Sequence, residues 1–238
     1  MQLDVFSTFL SVSDILLREK IVIVIDVLRA TTNMIYALNN GARQIIPLSD
    51  IQETMLLSKT FGTKNTVLAG ERNSVKIEGF QLGNSPFEFT SQAIKDKTIL
   101  MTTTNGTKAL NHVKNAQTII IGALINLTSV AEFASKQSKD IFIVCAGTNK
   151  EPSADDIYCA GAMVNKINNL NPDIILSDMA IIAKQFYLLC KSDLSILLSS
   201  KHPKILLNSG FKADIDLCLS EDTTNIIPFY QDGSIALK

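Results

Sequence analysis

The sequence has no tryptophan, and aromatic residues reach only 6% of its 238 positions. A stacking platform for single-stranded nucleic acid needs repeated exposed rings, so none is expected. Histidine occurs twice, at His112 and His202. That is too few for a multi-histidine metal site and a poor basis for a histidine-centred triad. The four cysteines, Cys145, Cys159, Cys190 and Cys218, show no CxxC spacing. In a chain of this length they read as reduced, buried side chains rather than disulfide staples. An excess of one charge is also missing. Lys plus Arg is 22 and Asp plus Glu is 23, a net charge of −1. No global attraction to nucleic acid or to an anionic membrane follows from that balance. No run of ~18 apolar residues is present, so no helical membrane span is expected. The first residues lack a basic segment and a small-residue cleavage site, and a cytoplasmic location is expected. Neither GxSxG, GxGxxG, the P-loop pattern nor HExxH occurs, which weighs against an α/β-hydrolase, a dinucleotide enzyme, a P-loop NTPase and a zincin.

What is present is a strongly apolar chain, 46% hydrophobic against 19% charged. Such a chain can bury a sizeable core, as one large unit or two small ones. Ile21–Leu28 (IVIVIDVL) is almost continuously apolar and β-branched, the pattern of a strand covered on both faces. Thr31, Thr32 and Asn33 then supply cap-type residues. Met34, Ile35, Ala37 and Leu38 follow at helical spacing, Gly41 suits a helix end, and Gln44–Leu48 reads as the next strand. This is the grammar of a βαβ unit.

The grammar recurs as the strand Lys97–Met101, a polar turn Thr102–Thr107, a short helix Lys108–Lys114 and the strand Thr118–Ile121. Ala37-Leu38-Asn39 echoes Ala109-Leu110-Asn111, which hints at an internal duplication. A third version starts at Ile141–Cys145 and continues into a helix from about Ser153 to Ile167. Met179–Leu189 reads as a further helix, and Asp232-Gly233 signals a terminal hairpin. Residues 70–90 fit none of this and read as a long ordered loop. The predicted fold is a three-layer α/β/α unit with a mixed or mainly parallel sheet. It is a single compact unit, or two similar subdomains with a soft boundary within 90–120.

In such sheets ligands bind beyond the carboxyl ends of the strands. Three strand ends here are polar. In Thr103, Thr104, Asn105, Gly106 and Thr107, free N–H groups, hydroxyls and a helix N-terminus favour a bound anion; an over-furnished N-cap is the plain alternative. Asp26 ends the first strand and Arg29 follows three residues later. A carboxylate there can bind Mg²⁺ or attack phosphorus, and an arginine can hold two phosphate oxygens; the alternative is a structural ion pair. Glu71-Arg72 and Asn84-Ser85 bracket the long loop, and Asp155-Asp156 forms an acidic cluster at a helix start. Glu221-Asp222 reads as surface or cap.

Taken together, DVLRATT (26–32), GER (70–72), GFQLGNSP (79–86), TTNGT (103–107), CAG (145–147) and DDIYCAG (155–161) resemble the 2-phosphosulfolactate phosphatase family of coenzyme M biosynthesis. The blocks cover residues ~20–165 in order. One departure is Asp155, where the family pattern has glutamate. The resemblance implies a Mg²⁺-dependent phosphatase that converts 2-phospho-3-sulfolactate, or a related small anionic monoester, to 3-sulfolactate and phosphate. Asp26, Glu71, Asp155 and Asp156 are the candidate metal carboxylates, with Asp26 either ligand or nucleophile. Arg29 and Thr103–Thr107 would neutralise phosphate charge, helped by Thr31 and Thr32. Arg72, Asn84 and Ser85 would orient the remaining anionic groups. Two other readings stay open: a non-catalytic receptor for small phosphorylated or sulfonated acids, and a phosphoribosyltransferase-like enzyme. Neither nucleic acid nor membrane is an expected partner, and self-association is left open.

Overall fold

The computed structural model describes residues 1–62 and 64–238. Strands form where β-branched runs occur: β1 (Gln2–Phe6), β2 (Ile21–Ile25), β3 (Gln44–Pro47), β4 (Thr66–Arg72), β5 (Val75–Lys76), β6 (Thr98–Thr102), β7 (Thr118–Ile121) and β8 (Ile141–Cys145). Three short ones follow: β9 (Ile175–Leu176), β10 (Phe229–Gln231) and β11 (Ser234–Ala236). The helices of the first half are α1 (Ala30–Asn39), α2 (Ile51–Phe61), α3 (Ser91–Ile94), α4 (Gly106–Val113) and α5 (Leu127–Lys136). The second half adds α6 (Ala154–Leu170), α7 (Asp178–Ser192), α8 (Leu194–Leu198), α9 (Lys201–Asn208) and α10 (Lys212–Cys218).

The strands make one sheet of order β5-β4-β6-β3-β11-β10-β7-β2-β8-β1-β9. Within β4-β6-β3 and within β7-β2-β8-β1-β9 neighbours are parallel. The β10-β11 hairpin is antiparallel to both groups and joins them. β2, β6 and β8 are buried along their whole length. That burial on both faces is what their unbroken apolar runs require, and it gives the three-layer α/β/α fold. All four cysteines are buried and free. Among the described residues no helix is long and apolar enough to cross a membrane.

The expected βαβ units are corrected in one respect. β2 and β3 are not neighbours, nor are β6 and β7; instead β2 pairs with β7 and β3 with β6. Each unit lends its second strand to the other's first. Reversed about the hairpin, β6-β3-β11-β10-β7-β2 maps onto itself, β6 onto β2 and β3 onto β7. The turns match too: Thr31 Oγ1 accepts the Asp26 N–H at 3.1 Å, and Thr107 Oγ1 accepts the Thr103 N–H at 3.3 Å. Aligned on those threonines, the Ala-Leu-Asn echo is four residues out of step.

The interlock positions the site. Ladder parity points β2 and β6 in opposite senses, but five strand steps of ~20–25° of twist rotate one by roughly 100–125° against the other. Their carboxyl ends nevertheless meet. A Cβ placed on Gly106, after β6, would lie 2.8 Å from Asp26 Oδ2 and 2.8 Å from Ala30 Cβ, after β2. Only glycine fits there.

Candidate functional site

Where these ends converge there is a cleft of about 200 Å³. Asp26, Arg29, Glu71, Asn84, Thr103, Thr104 and Asn105 line it, as do Leu28, Thr148, Asn149, His202 and Ile205. Residues from segments 26–29, 71–84, 103–105 and 148–149 and from helix α9 thus share one pocket.

The strand-end turns build the polar wall. Asp26 is buried, and its Oδ1 takes a long bond from the Ala30 N–H at 3.4 Å. Burial pushes its carboxyl up to about 7; His202 lowers it, while Asp155 and Glu71 raise it. Asp26 is therefore short of positive charge at neutral pH. Opposite it, Thr103 and Thr107 bond to each other's backbone and fix the start of α4. Glu71 ties its own loop to the α4 turn, taking the Thr104 N–H on Oε1 and the Ser74 N–H on Oε2, each at 2.8 Å. The Thr104 hydroxyl is buried without a protein partner. Among the described residues no backbone bond uses the N–H groups of Asn105 or Gly106 at the first turn of α4. A buried donor left unpaired costs free energy unless a ligand takes it.

Arg29 borders the cleft but is not free. It is ion-paired with Asp214 of α10, both side chains buried, and its guanidinium lies 4.2 Å from the centre of the Phe211 ring. Asp214 takes the Ser85 hydroxyl on its other oxygen at 2.8 Å. Asn84 is anchored by Asn33 Nδ2, which donates to its Oδ1 at 2.7 Å and its carbonyl at 2.8 Å. His202 of α9 donates from Nδ1 to Asp155 Oδ2 at 3.0 Å. Burial pulls the imidazole pKa down, but the hydrogen bond and charge of Asp155, with Asp26 behind it, raise it overall.

The other sequence candidates lie outside the cleft lining. Thr31 and Thr32 are buried in α1 and bond the β2 turn, Thr32 Oγ1 donating to the Val27 carbonyl at 2.8 Å. Arg72 turns to the carbonyls of Glu71 and Ser49 and to Thr102 Oγ1. Ser85 is engaged with Asp214, and Gly106 and Thr107 shape the turn. Asp155 takes the Ser153 hydroxyl and His202. Asp156 accepts the N–H groups of Val27 and Gly147, each at 2.9 Å, and so ties the ends of β2 and β8 together. Among the described residues no group of three or more His, Cys, Asp or Glu side chains could hold a metal ion.

Sequence reasoning missed His202, Asp214 and Phe211. None had a local signal: His202 sits in KHPKILLN and Asp214 in KADIDLC, ordinary amphipathic helices.

The model of the family described as 2-phosphosulpholactate phosphatase matches residues 10–233. The chain belongs to that family. Relatives described as probable 2-phosphosulfolactate phosphatases match nearly end to end. One from Clostridium beijerinckii is 40% identical over 238 residues, all of both chains. One from Caldanaerobacter subterraneus subsp. tengcongensis is 43% identical over 236 residues, 99% of this chain and 98% of the other. A third, from Clostridium novyi, is 41% identical over 228 residues, 96% of each. Family membership therefore extends well past residue 165 and takes in His202 and Asp214, the part of the chain where the sequence blocks run out.

Proposed function

We propose that this protein is a phosphoric monoester hydrolase acting on a small, multiply anionic phosphate ester, 2-phospho-3-sulfolactate or a close analogue, releasing phosphate and the hydroxy acid. The observation that carries the reading is one cleft combining unpaired anion donors with buried acid and imidazole groups. The Thr104 hydroxyl and the first-turn N–H groups of α4 would receive phosphate oxygens, with the helix N-terminus favouring their charge. Arg29 adds a fixed positive charge at the rim, held in place by Asp214. At about 200 Å³ the cleft is below the ~300–1,000 Å³ of pockets for drug-sized ligands. A three-carbon ester suits it and a dinucleotide does not.

The donor set also bears on the metal. A preformed cage of three protein ligands is not what these residues offer. Mg²⁺ does not need one: it binds through one or two carboxylates, with water and substrate oxygens completing its shell. Asp26 and Glu71, the two carboxylates lining the cleft, fit that role, and the raised Asp26 carboxyl favours a cation beside it. When bound, Mg²⁺ would supply charge neutralisation at the phosphate oxygens. Asp155 and Asp156, already engaged elsewhere, fall outside this set.

In the reaction, water oxygen bonds to phosphorus and the phosphorus–alkoxide bond breaks. The leaving alkoxide needs a proton. His202, which lines the cleft and whose Nδ1 is held by Asp155, would give it. Arg29 and the α4 turn hold the phosphoryl group through the step.

The test is release of phosphate from 2-phospho-3-sulfolactate and a panel of simpler monoesters, with Mg²⁺ and with excess chelator. Turnover lost in chelator and restored by Mg²⁺ is expected, as is a strong loss in Asp26→Asn. Binding of the ester without turnover would make the protein a receptor and refute the reading. Full activity in chelator would remove the metal.

A further inference from the structure

Helix α7 uses both of its faces. The inner face presents Ala180, Ala183, Tyr187 and Cys190, all buried. It seats closely on α6, where a Cβ on Gly161 would fall 2.0 Å from the Ala183 carbonyl oxygen. A helix held that way needs polar residues on its opposite side. Instead the outer face carries Ile181, Ile182, Leu188 and Leu189, exposed by 46%, 57%, 41% and 53%. Ile175 on edge strand β9, just before α7, is also 66% exposed.

The order of these residues is itself informative. Exposed Gln185 lies at the centre. Ile182 and Leu188 stand three residues to either side of it, and Ile181 and Leu189 four. Such a stripe reads the same in both directions along the helix. Two copies laid antiparallel about a twofold axis through Gln185 would set Ile182 of each against Leu188 of the other, and Ile181 against Leu189. A patch complementary to itself is what an isologous interface requires, and antiparallel packing also opposes the two helix dipoles favourably. The four outer side chains and Ile175 leave about 500 Å² of apolar surface open per chain, in the upper part of the ~300–600 Å² of the largest patch on a typical monomer, which is often an interaction site. That area is the greater part of the ~800 Å² per partner of a standard interface.

We propose that the protein is a homodimer joined through the outer face of α7, the two helices antiparallel and centred on Gln185. The face lies on α7 and β9, elements that contribute nothing to the cleft lining, so the proposal stands independently of the phosphatase reading. The short edge strand β9 borders the joint, and pairing would shield the exposed Ile175 there.

The test is molar mass by light scattering and sedimentation for the wild-type chain and three variants: Ile182→Glu, Leu188→Lys, and the two combined. Wild type is expected at twice the 26.0 kDa chain mass. Each single variant places a charge against an aliphatic side chain of the partner and is expected at the chain mass. In the double variant the carboxylate introduced at position 182 of each copy meets the ammonium introduced at position 188 of the other, and the dimer is expected to return. Both positions are exposed on the single chain, so circular dichroism should stay native in all three. A monomeric wild type overturns the proposal, as does a dimer that survives either single charge. Failure of the double variant to re-form the dimer overturns the antiparallel register. Phosphate release tests the other reading separately, so failure of one is distinguishable from failure of the other.

Discussion

Replacing Asp214 by alanine probes how this site is held together. The Arg29 and Asp214 side chains are 2% and 5% exposed. Ionised groups that deep are tolerated only as a pair, since each loses its hydration on burial. Asp214→Ala leaves the guanidinium against the Phe211 ring with no carboxylate and takes away the acceptor of the Ser85 hydroxyl. Breaking a buried pair from one side costs about 3–5 kcal/mol. The Phe211 ring contact is present in both proteins and so does not offset this loss. About 3–5 kcal/mol is expected, a large share of the ~5–15 kcal/mol typical of a folded domain. Urea unfolding followed by circular dichroism measures it. Inorganic phosphate adds a second reading. An anion bound only to the folded form stabilises by about 2.7 kcal/mol at a hundredfold excess over its dissociation constant. If the unpaired Arg29 faces the cleft, phosphate should shift the unfolding midpoint of the variant further than that of wild type. A loss below about 1 kcal/mol would place the pair with solvated ion pairs and refute the reasoning. Equal phosphate shifts in the two proteins would show that Arg29 does not address the cleft.

Two further outcomes follow from the geometry. Gly106→Ala puts a methyl 2.8 Å from both Asp26 Oδ2 and Ala30 Cβ, so turnover should fall about 10²-fold for a displacement of this kind; unchanged phosphate release at native circular dichroism would show that Asp26 position is not critical. Asp140 is held below its usual 3.8 by the Lys20 side chain at 2.6 Å and the Gln2 N–H at 2.8 Å. Its contribution is thus present above 3.8 and lost as pH falls through the lower folded value. Asp140→Asn should cost under about 1 kcal/mol at pH 7 for this partly exposed pair, the gap closing in strong acid; a gap that widens on acidification refutes the sign.

How much of this was legible in the sequence depended on how far apart the cooperating residues lie. The buried strands announced themselves, because IVIVI and IFIVC can satisfy both faces only inside a sheet. The polar strand ends were equally readable, since Thr103–Thr107 and Asp26–Thr31 are local turns whose bonds span four or five residues. Strand order was not readable. The two units looked self-contained, yet a hairpin encoded more than a hundred residues after β7 separates their strands. The carboxylates were harder still. Asp155 and Asp156 share a helix start, and that position alone does not show that one turns back to cap two strands while the other turns to a histidine 47 residues on.

The same distance argument explains why the motifs stop near residue 165 while the site does not. Arg29 meets its counter-ion 185 residues later, and Asp155 meets its imidazole on α9. Both partners sit on amphipathic helices whose apolar residues do ordinary packing, so one charged residue in each carries the whole signal and nothing nearby marks it. The motif blocks supply charges that line or border the cleft; the helices of residues 201–218 supply what keeps those charges buried and oriented. A chain lacking those helices would retain every block by which the family is recognised. It would nevertheless leave Arg29 without Asp214 and Asp155 without His202, the groups that fix their orientation beside the cleft. The C-terminal helices therefore belong to the cleft as much as the loops do, although they contribute few of the residues that line it.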